Sequence, residues 1–364
     1  MSWGAADLRV VVVGGGVVGV ACALAFARRG AQVELREARD ALGLAASGTN
    51  SGILHTGFDS KPGELETELI LRAAQLRPAL LEGLGVPFDR RGAVLTPRSD
   101  ADRAVVRDLY DNARRNGVEV VLDDATGALH VPGEGMTDPV AYTLALAAAA
   151  AAHGATIRTG APVTARVEDA DVVVNAAGLG GGRVARLHGD DSFDVHPRKG
   201  EFLVFDVAPP ERILLPVPTA RTKGVLVFPT LDGRTVAGPT AVDLDDEDWS
   251  VRPQARDEIL AKAAAMHPAL DGAEPVFAYA GLRPAGRDGA NYVVRVSDAD
   301  PRMVHAGAIR STGLTASVAI AERVVALAGL GDAPEAELRR GDGAAADAGS
   351  GPWWRRTAQR LAGA

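Results

Sequence analysis

Residues 8–13 (LRVVVV) form a short apolar, β-branched run, the pattern of a buried parallel strand. Glycines follow, and residues 17–30 (VVGVACALAFARRG) continue as an apolar helix. In residues 31–38 (AQVELREA), Val33 and Leu35 alternate with Gln32, Glu34 and Arg36, which predicts a second strand. Strand, glycine turn, helix and strand together make a βαβ unit. Helical patterns recur near 64–82, 99–116 and 137–153, and short strands are expected at 118–122 and 155–159. Residues 171–175 (DVVVN) predict another strand ending in small residues. From 199 to 242 the pattern changes to short runs, EFLVFD, ILLPVP, GVLVFP and RTVAGP, split by Gly and Pro, which predicts a mostly antiparallel sheet. Residues 245–270 are a charged linker and then a helix; 277–330 hold two more strands, a glycine turn and the helix ASVAIAERVVALAGL. Beyond 331 the chain has little to bury and predicts a flexible tail, although WWRR at 353–356 could dock it on the body or mark an oligomer contact.

Composition narrows the class. The 364 residues carry a net charge of −8, which argues against a nonspecific nucleic-acid binder. One cysteine, Cys22, excludes a disulfide framework, a CxxC pair and an iron–sulfur cluster held by this chain's own thiolates. No stretch reaches the roughly 18 apolar residues of a membrane span, and the opening residues lack a signal-peptide pattern, so a cytoplasmic protein is expected. The four lysines, Lys61, Lys199, Lys223 and Lys262, beside 35 arginines reflect compositional bias.

The sharpest motif is GGGVVG at 14–19, closing the first strand. Gly14 permits the tight turn, Gly16 lets a pyrophosphate approach, and Gly19 lets the helix pack on the strand. The phosphates then meet the free amides and positive end of that helix, on Val17 and Val18. Glu37 follows 23 residues after Gly14 and can accept bonds from ribose hydroxyls, which disfavours NADP. The alternative is that these glycines merely turn the chain. The long Gly/Ser/Thr/Asn segment at 41–62 favours FAD over NAD, because no second mononucleotide half follows directly. Small residues recur at NAAG (175–178) and GAIRSTGLT (307–315), where a backbone can approach an extended cofactor.

With these strings in order along residues 8–330, the chain resembles the D-amino-acid-oxidase-like superfamily of FAD-dependent oxidoreductases. More narrowly, SGTNSGILHTGFDSKPGELETEL, HPRKGEFLVFD, KGVLVFPTLDGRTVAGPTAVD, FAYAGLRP and HAGAIRSTGLTASVAIAERVV are similar to the branch of L-2-hydroxyglutarate dehydrogenases and FAD-dependent glycerol-3-phosphate dehydrogenases. The resemblance implies an α/β fold with an α+β portion. A Rossmann-like FAD domain of the GR2 type would draw on 1–82, 137–198 and 275–330. A smaller, mainly antiparallel β-sheet substrate domain would draw on 83–136 and 199–274, and 331–364 would be a flexible Ala/Gly-rich tail. It implies noncovalent FAD lined by Ser47, Thr49, Asn50, Ser51 and Gly52, with His55 near its reactive face and Arg283 and Thr315 near substrate or ring. The cofactor set expected in full adds Gly14, Gly16, Val17, Val18, Glu37, Ala38, Val163, Ala177, Gly178, Gly281, Gly307, Thr312, Gly313 and Leu314. Longer glycerol-3-phosphate dehydrogenases carry a cysteine-rich C-terminal domain that this chain does not match. Electrons would therefore leave to dioxygen, a quinone or a carrier protein.

For an alcohol, hydride passes to flavin N5 while a base takes the hydroxyl proton. His55, between glycines in the cofactor loop, is the leading base; its alternative is bracing the backbone. His305 is a second candidate, or a packed histidine on the sheet. His196 could help meet an anion, while His267, His130, His153 and His188 lack a supporting constellation. Arg283, in AGLRPAG, is the leading anchor for a carboxylate or phosphate, against a structural salt bridge. Arg310 could meet a second charge, Lys199 and Lys223 are weaker candidates, and Tyr279 could close the pocket or pack in the sheet. The leading expectation is oxidation of an L-2-hydroxyglutarate-like 2-hydroxy acid. Glycerol 3-phosphate and amino-acid oxidation are alternatives, and an electron-transfer flavoprotein subunit is an alternative of another class.

Overall fold

The computed structural model describes residues 7–219, 224–341, 352–354 and 356. The first strand, Arg9–Val13, is buried at all four valines and lies inside a six-stranded sheet. Its parallel neighbours are Gln32–Arg36 on one side and Val172–Asn175 on the other. Thr156–Arg158 extends the first side, Met303–Gly307 the second, and Val293–Val296 closes that edge antiparallel. These strands come from three separate stretches of chain, as the three glycine-punctuated segments predict.

Helix α1 (Val17–Arg28) packs between α4 (Pro139–Ala152) and α7 (Gly313–Leu327) on one face of this sheet, with α2 (Leu65–Leu84) beyond α7. Asp138 caps α4 by accepting from Val140 and Ala141 N–H at 2.9 Å each, and Pro139 occupies the first turn, where no donor is missed. The opposite face is covered by Val163, Val167 and the short helix at Gly181–Leu187, so the central strands have no wet side.

The second sheet has nine strands and is mostly antiparallel. Its spine is the eleven-residue strand Val195–Phe205, paired along its length with Pro275–Gly286. This moves one expected boundary. Residues 275–286 belong to the second sheet, because their backbone groups are taken by Val195–Phe205. The helix Ala255–Met266 covers the outer face through Ile259 and Ala263. The strand expected at 118–122 shortens to Val121–Leu122, because Val118 N–H is bonded to Ala113 at the end of helix Asp100–Arg115.

The described part of the tail is held down, which corrects the expectation for 331–341. Glu335 bridges Arg28 and Arg29 at 2.6 and 2.7 Å, and Arg339 N–H donates to His153 Nε2. Trp353 and Trp354 are 2% exposed, packed on Tyr279 and Phe277, and Arg356 pairs with Asp138 at 2.7 Å. Among the described residues no helix is long and apolar enough to cross a membrane.

Candidate active site

A cavity of about 900 Å³ runs from the GGGVVG turn to the inner face of the second sheet. At its first end Gly14 has φ +110°, and a Cβ there would sit 2.4 Å from Ala176 O. A Cβ on Gly19 would sit 1.9 Å from Gly14 O, so α1 can start against the strand only with glycine at both positions. Gly16 gives α1 no side-chain cap; Ser47 Oγ instead accepts from Val17 N–H at 2.9 Å. Ser47 thus takes the amide of Val17, which the sequence left free for a phosphate, and the other amides of the first turn have no capping side chain from Gly16. Glu37 reaches the same turn, accepting from Gly15 N–H at 2.6 Å and Arg39 N–H at 2.8 Å.

Gly14, Gly16, Val17, Val18, Glu37 and Ala38 line this end, with Val163, Ala177 and Gly178 from the neighbouring strand ends. Ser47, Thr49, Asn50 and Ser51 line the middle, where the loop crosses Gly281 so closely that a Cβ would meet Thr49 Oγ1 at 2.7 Å. Gly307, Thr312, Gly313 and Leu314 close the other wall at the start of α7, which also lacks a side-chain cap. Ala308, just before, holds φ +52°, a conformation non-glycine residues adopt under constraint. Two helix ends whose N-cap residues make no side-chain cap, at one long cavity with small residues where a backbone must approach, fit a dinucleotide carrying a redox ring.

His55, Arg283 and Arg310 line the same cavity. The His55 backbone is fixed from both sides. Its N–H donates to Thr315 Oγ1 at 3.1 Å, and its carbonyl accepts from buried Arg77 at 3.0 Å. Its Nδ1 lies 2.9 Å from Glu134 Oε2. Arg283 donates from Nε to Arg198 O at 3.1 Å and from one Nη to the carbonyls of Lys199 and Thr240 at 3.0 Å each. It has no carboxylate partner among the described residues. Burial, with Arg198 and Arg310 nearby, pulls its pKa down to about 10, against the pull of Asp243. Arg310 is exposed at the cavity wall.

Four expected positions lie elsewhere. Lys199 is fully buried on the other side of its strand, bonded to Asp248 at 2.6 Å and Ser250 O at 2.9 Å. Tyr279 stacks on Phe202 with centroids 4.9 Å apart and is covered by Trp353, so it packs in the sheet. Gly52 backs onto Thr137 O, and Thr315 supports His55 from behind; neither lines the cavity. Lys223 falls outside the described residues. His305 is fully buried between Asp190 and Asn175, at 2.9 and 3.2 Å, and burial lowers its pKa despite Asp190. His196 sits by Asp243, and His267 bonds Ala208 O.

The sequence reading missed Glu134 and Arg77. Glu134 is completely buried, and its other oxygen accepts from Thr56 N–H and Oγ1 at 2.7 and 2.9 Å. The signals available were one acid between two glycines in VPGEGMT and one arginine beside Pro78 inside a helix.

The family of FAD-dependent oxidoreductases matches residues 9–327. The glycerol 3-phosphate oxidase of Mycoplasma pneumoniae is 27% identical over 87% of this chain and 94% of its own length. The L-2-hydroxyglutarate dehydrogenase of Escherichia coli K12 is 25% identical over 64% of this chain and 63% of its own. The dithionite-reduced L-α-glycerophosphate oxidase of M. pneumoniae with FAD bound superposes with a TM-score of 0.82 at 26% identity, covering 92% of this chain and 97% of that one.

Proposed function

The chain belongs to the family of FAD-dependent oxidoreductases, and from that premise we propose that it oxidises a small anionic alcohol, glycerol 3-phosphate before L-2-hydroxyglutarate. It is an FAD-binding enzyme whose Rossmann-like domain is assembled from separate segments and joined to an antiparallel substrate sheet. The expectation from sequence put the 2-hydroxy acid first. The order is reversed because likeness to the Mycoplasma glycerol 3-phosphate oxidases covers 87–88% of this chain and 94% of theirs. Likeness to the bacterial L-2-hydroxyglutarate dehydrogenases covers 64–65% of this chain, and likeness to the Arabidopsis thaliana enzyme covers 86% of this chain at 24% identity and 82% of its own length.

One observation carries the reading. Arg283 is a part-buried guanidinium whose bonds among the described residues all go to carbonyls, in the cavity that His55 lines. A cation partly withdrawn from water without a carboxylate is costly, and an anionic substrate offsets that cost. Bound FAD supplies the two-electron acceptor. Arg283 holds the phosphate or carboxylate and so orients the hydroxyl carbon. His55 takes the hydroxyl proton, for which an imidazole is suited near neutral pH. The loop at 45–51 and the turn at 307–314 line the cavity around the reacting groups.

Exposed Arg310 on the same wall favours a second reading, a dicarboxylate such as L-2-hydroxyglutarate. The test is anaerobic bleaching of the FAD-loaded protein with glycerol 3-phosphate, L-2-hydroxyglutarate, glycine and uncharged glycerol. Prompt bleaching by glycerol 3-phosphate and not by glycerol is expected. Bleaching by L-2-hydroxyglutarate alone would restore the original order. Bleaching by glycerol as readily as by its phosphate would remove Arg283 as anchor.

A further inference from the structure

The His55 imidazole does not stand alone. Its Nδ1 is 2.9 Å from Glu134 Oε2, and Glu134 reaches it from the turn between the strands Leu129–Val131 and Gly135–Thr137. That turn lies 79 residues further along the chain. Glu134 is 0% exposed and is not among the residues lining the cavity. Its Oε1 is engaged by the N–H and hydroxyl of Thr56, which locks the carboxylate plane and leaves Oε2 for the imidazole. Both chain neighbours of Glu134 are glycines that pack tightly. A Cβ on Gly133 would meet Thr56 Cγ2 at 2.8 Å, and one on Gly135 would meet the Phe88 ring at 2.3 Å. The turn is thus built to bring this one acid under the ring.

A carboxylate accepts and does not donate, so the hydrogen of a neutral His55 sits on Nδ1. Nε2, on the opposite edge of the ring, then carries the lone pair, and His55 lines the cavity. We propose that Glu134 is a positioning residue that fixes the tautomer of His55, making the two a carboxylate–imidazole dyad. The proposal rests on the reading of His55 as the base. The substrate hydroxyl proton goes to Nε2, the hydroxyl carbon gives up its hydrogen with an electron pair to bound FAD, and a carbonyl forms. The Nδ1 proton stays between His55 and Glu134 throughout, and the Nε2 proton leaves to solvent with product.

The charged groups around His55 come from several elements. Arg77 from α2 holds its carbonyl, Asp59 follows in its own loop, Arg283 comes from the second sheet and Arg310 from the turn before α7. Glu134 bonds the ring directly at Nδ1, so Glu134→Gln is the informative change. Glutamine keeps the shape and loses the charge.

In Glu134→Gln with FAD bound, the maximal rate of anaerobic flavin reduction should fall by about 10-fold to 100-fold, the upper figure being the low end for losing a general base. The acid limb of its pH profile should move down by about one pH unit, because the charge favouring imidazolium is gone. Half-saturation should change little. In the His55→Ala background the same substitution should add nothing. Nitrogen-15 NMR, with the His55 signal assigned by its loss in His55→Ala, should find Nδ1 protonated above pH 8 in the wild type and not uniquely so in Glu134→Gln. Thr56→Val, which removes only a hydroxyl from Oε1, should leave the limb in place.

An unmoved acid limb, or additive losses in the double variant, would make Glu134 structural and overturn the proposal. Should no substrate bleach the wild-type flavin, the proposed function falls. The NMR tautomer still decides the dyad, and a wild-type His55 protonated on Nε2 would refute it even if Glu134→Gln failed to fold.

Discussion

Arg283→Met removes the charge and the fork while keeping most of the volume. In the native protein Nε and one Nη are spent on the carbonyls of Arg198, Lys199 and Thr240. The remaining terminal nitrogen is the one available to an anion. A charge-assisted hydrogen bond contributes about 1.5–3 kcal/mol, so half-saturation by glycerol 3-phosphate should rise roughly 10- to 150-fold. FAD retention should change by less than about 2-fold, because every bond of Arg283 stays within the second sheet. The carbonyls left without a donor would cost about 1–3 kcal/mol of stability, visible as an earlier thermal transition. Burial takes the Arg283 pKa down to about 10, so the guanidinium stays mainly charged at pH 6 to 9. Anion affinity should therefore not fall through loss of its charge in that window. The assay is an anaerobic stopped-flow titration of flavin reduction, run beside a fluorescence titration of FAD. Unchanged half-saturation, or parallel loss of substrate and FAD, would refute the anchor.

Three further outcomes follow from the geometry. Gly19→Ala places a Cβ 1.9 Å from Gly14 O, a backbone atom that cannot rotate away; it should cost about 1–3 kcal/mol or more and weaken FAD, and equal melting curves with and without FAD in both proteins would contradict that. Cys22 is fully buried and its thiol is pushed up to about 12, so native protein at pH 8 should resist iodoacetamide and react only in denaturant; labelling at the rate of a free thiol would place Cys22 wrongly. Burial would raise Asp190, but hydrogen bonds from Ser192, Ser297 and His305 hold it well below the carboxylate range. Its contribution to stability is complete above the unfolded value near 4 and is lost as pH falls further. Asp190→Asn should then be less stable at pH 7 yet lose less between pH 5 and 3, by urea midpoints, and an identical pH slope would argue against it.

Much of the cofactor end was legible because its constraints are local. A buried β-branched strand, a glycine turn and an acid at the next strand's end declare a βαβ unit within thirty residues, and glycine itself marks where backbone must pass close. The same logic found the segments at 175–178 and 307–315, which the sheet brings side by side. The substrate end was harder, since strands place alternate residues on opposite faces. Arg198 and Arg283 are paired across the ladder, and both line the cavity. Lys199, one residue on, turns the other way to Asp248. Composition treats Arg198 and Lys199 alike; only the register separates them.

Tyr279 shows a second limit. It shares the face of Gly281 and Arg283 by alternation, yet Trp353, more than seventy positions away, covers it. Glu134 shows a third, because nothing in VPGEGMT announces a partner for a histidine 79 residues earlier. The sequence by itself determined where the chain turns, which strands are buried twice, and that a dinucleotide fits its first glycine loop, because those depend on neighbours along the chain. Tertiary structure decided which cation faces the cavity, which tyrosine is covered and which acid meets His55. Those pairings are fixed by strand register and long-range packing, and their side chains carry no local trace of them.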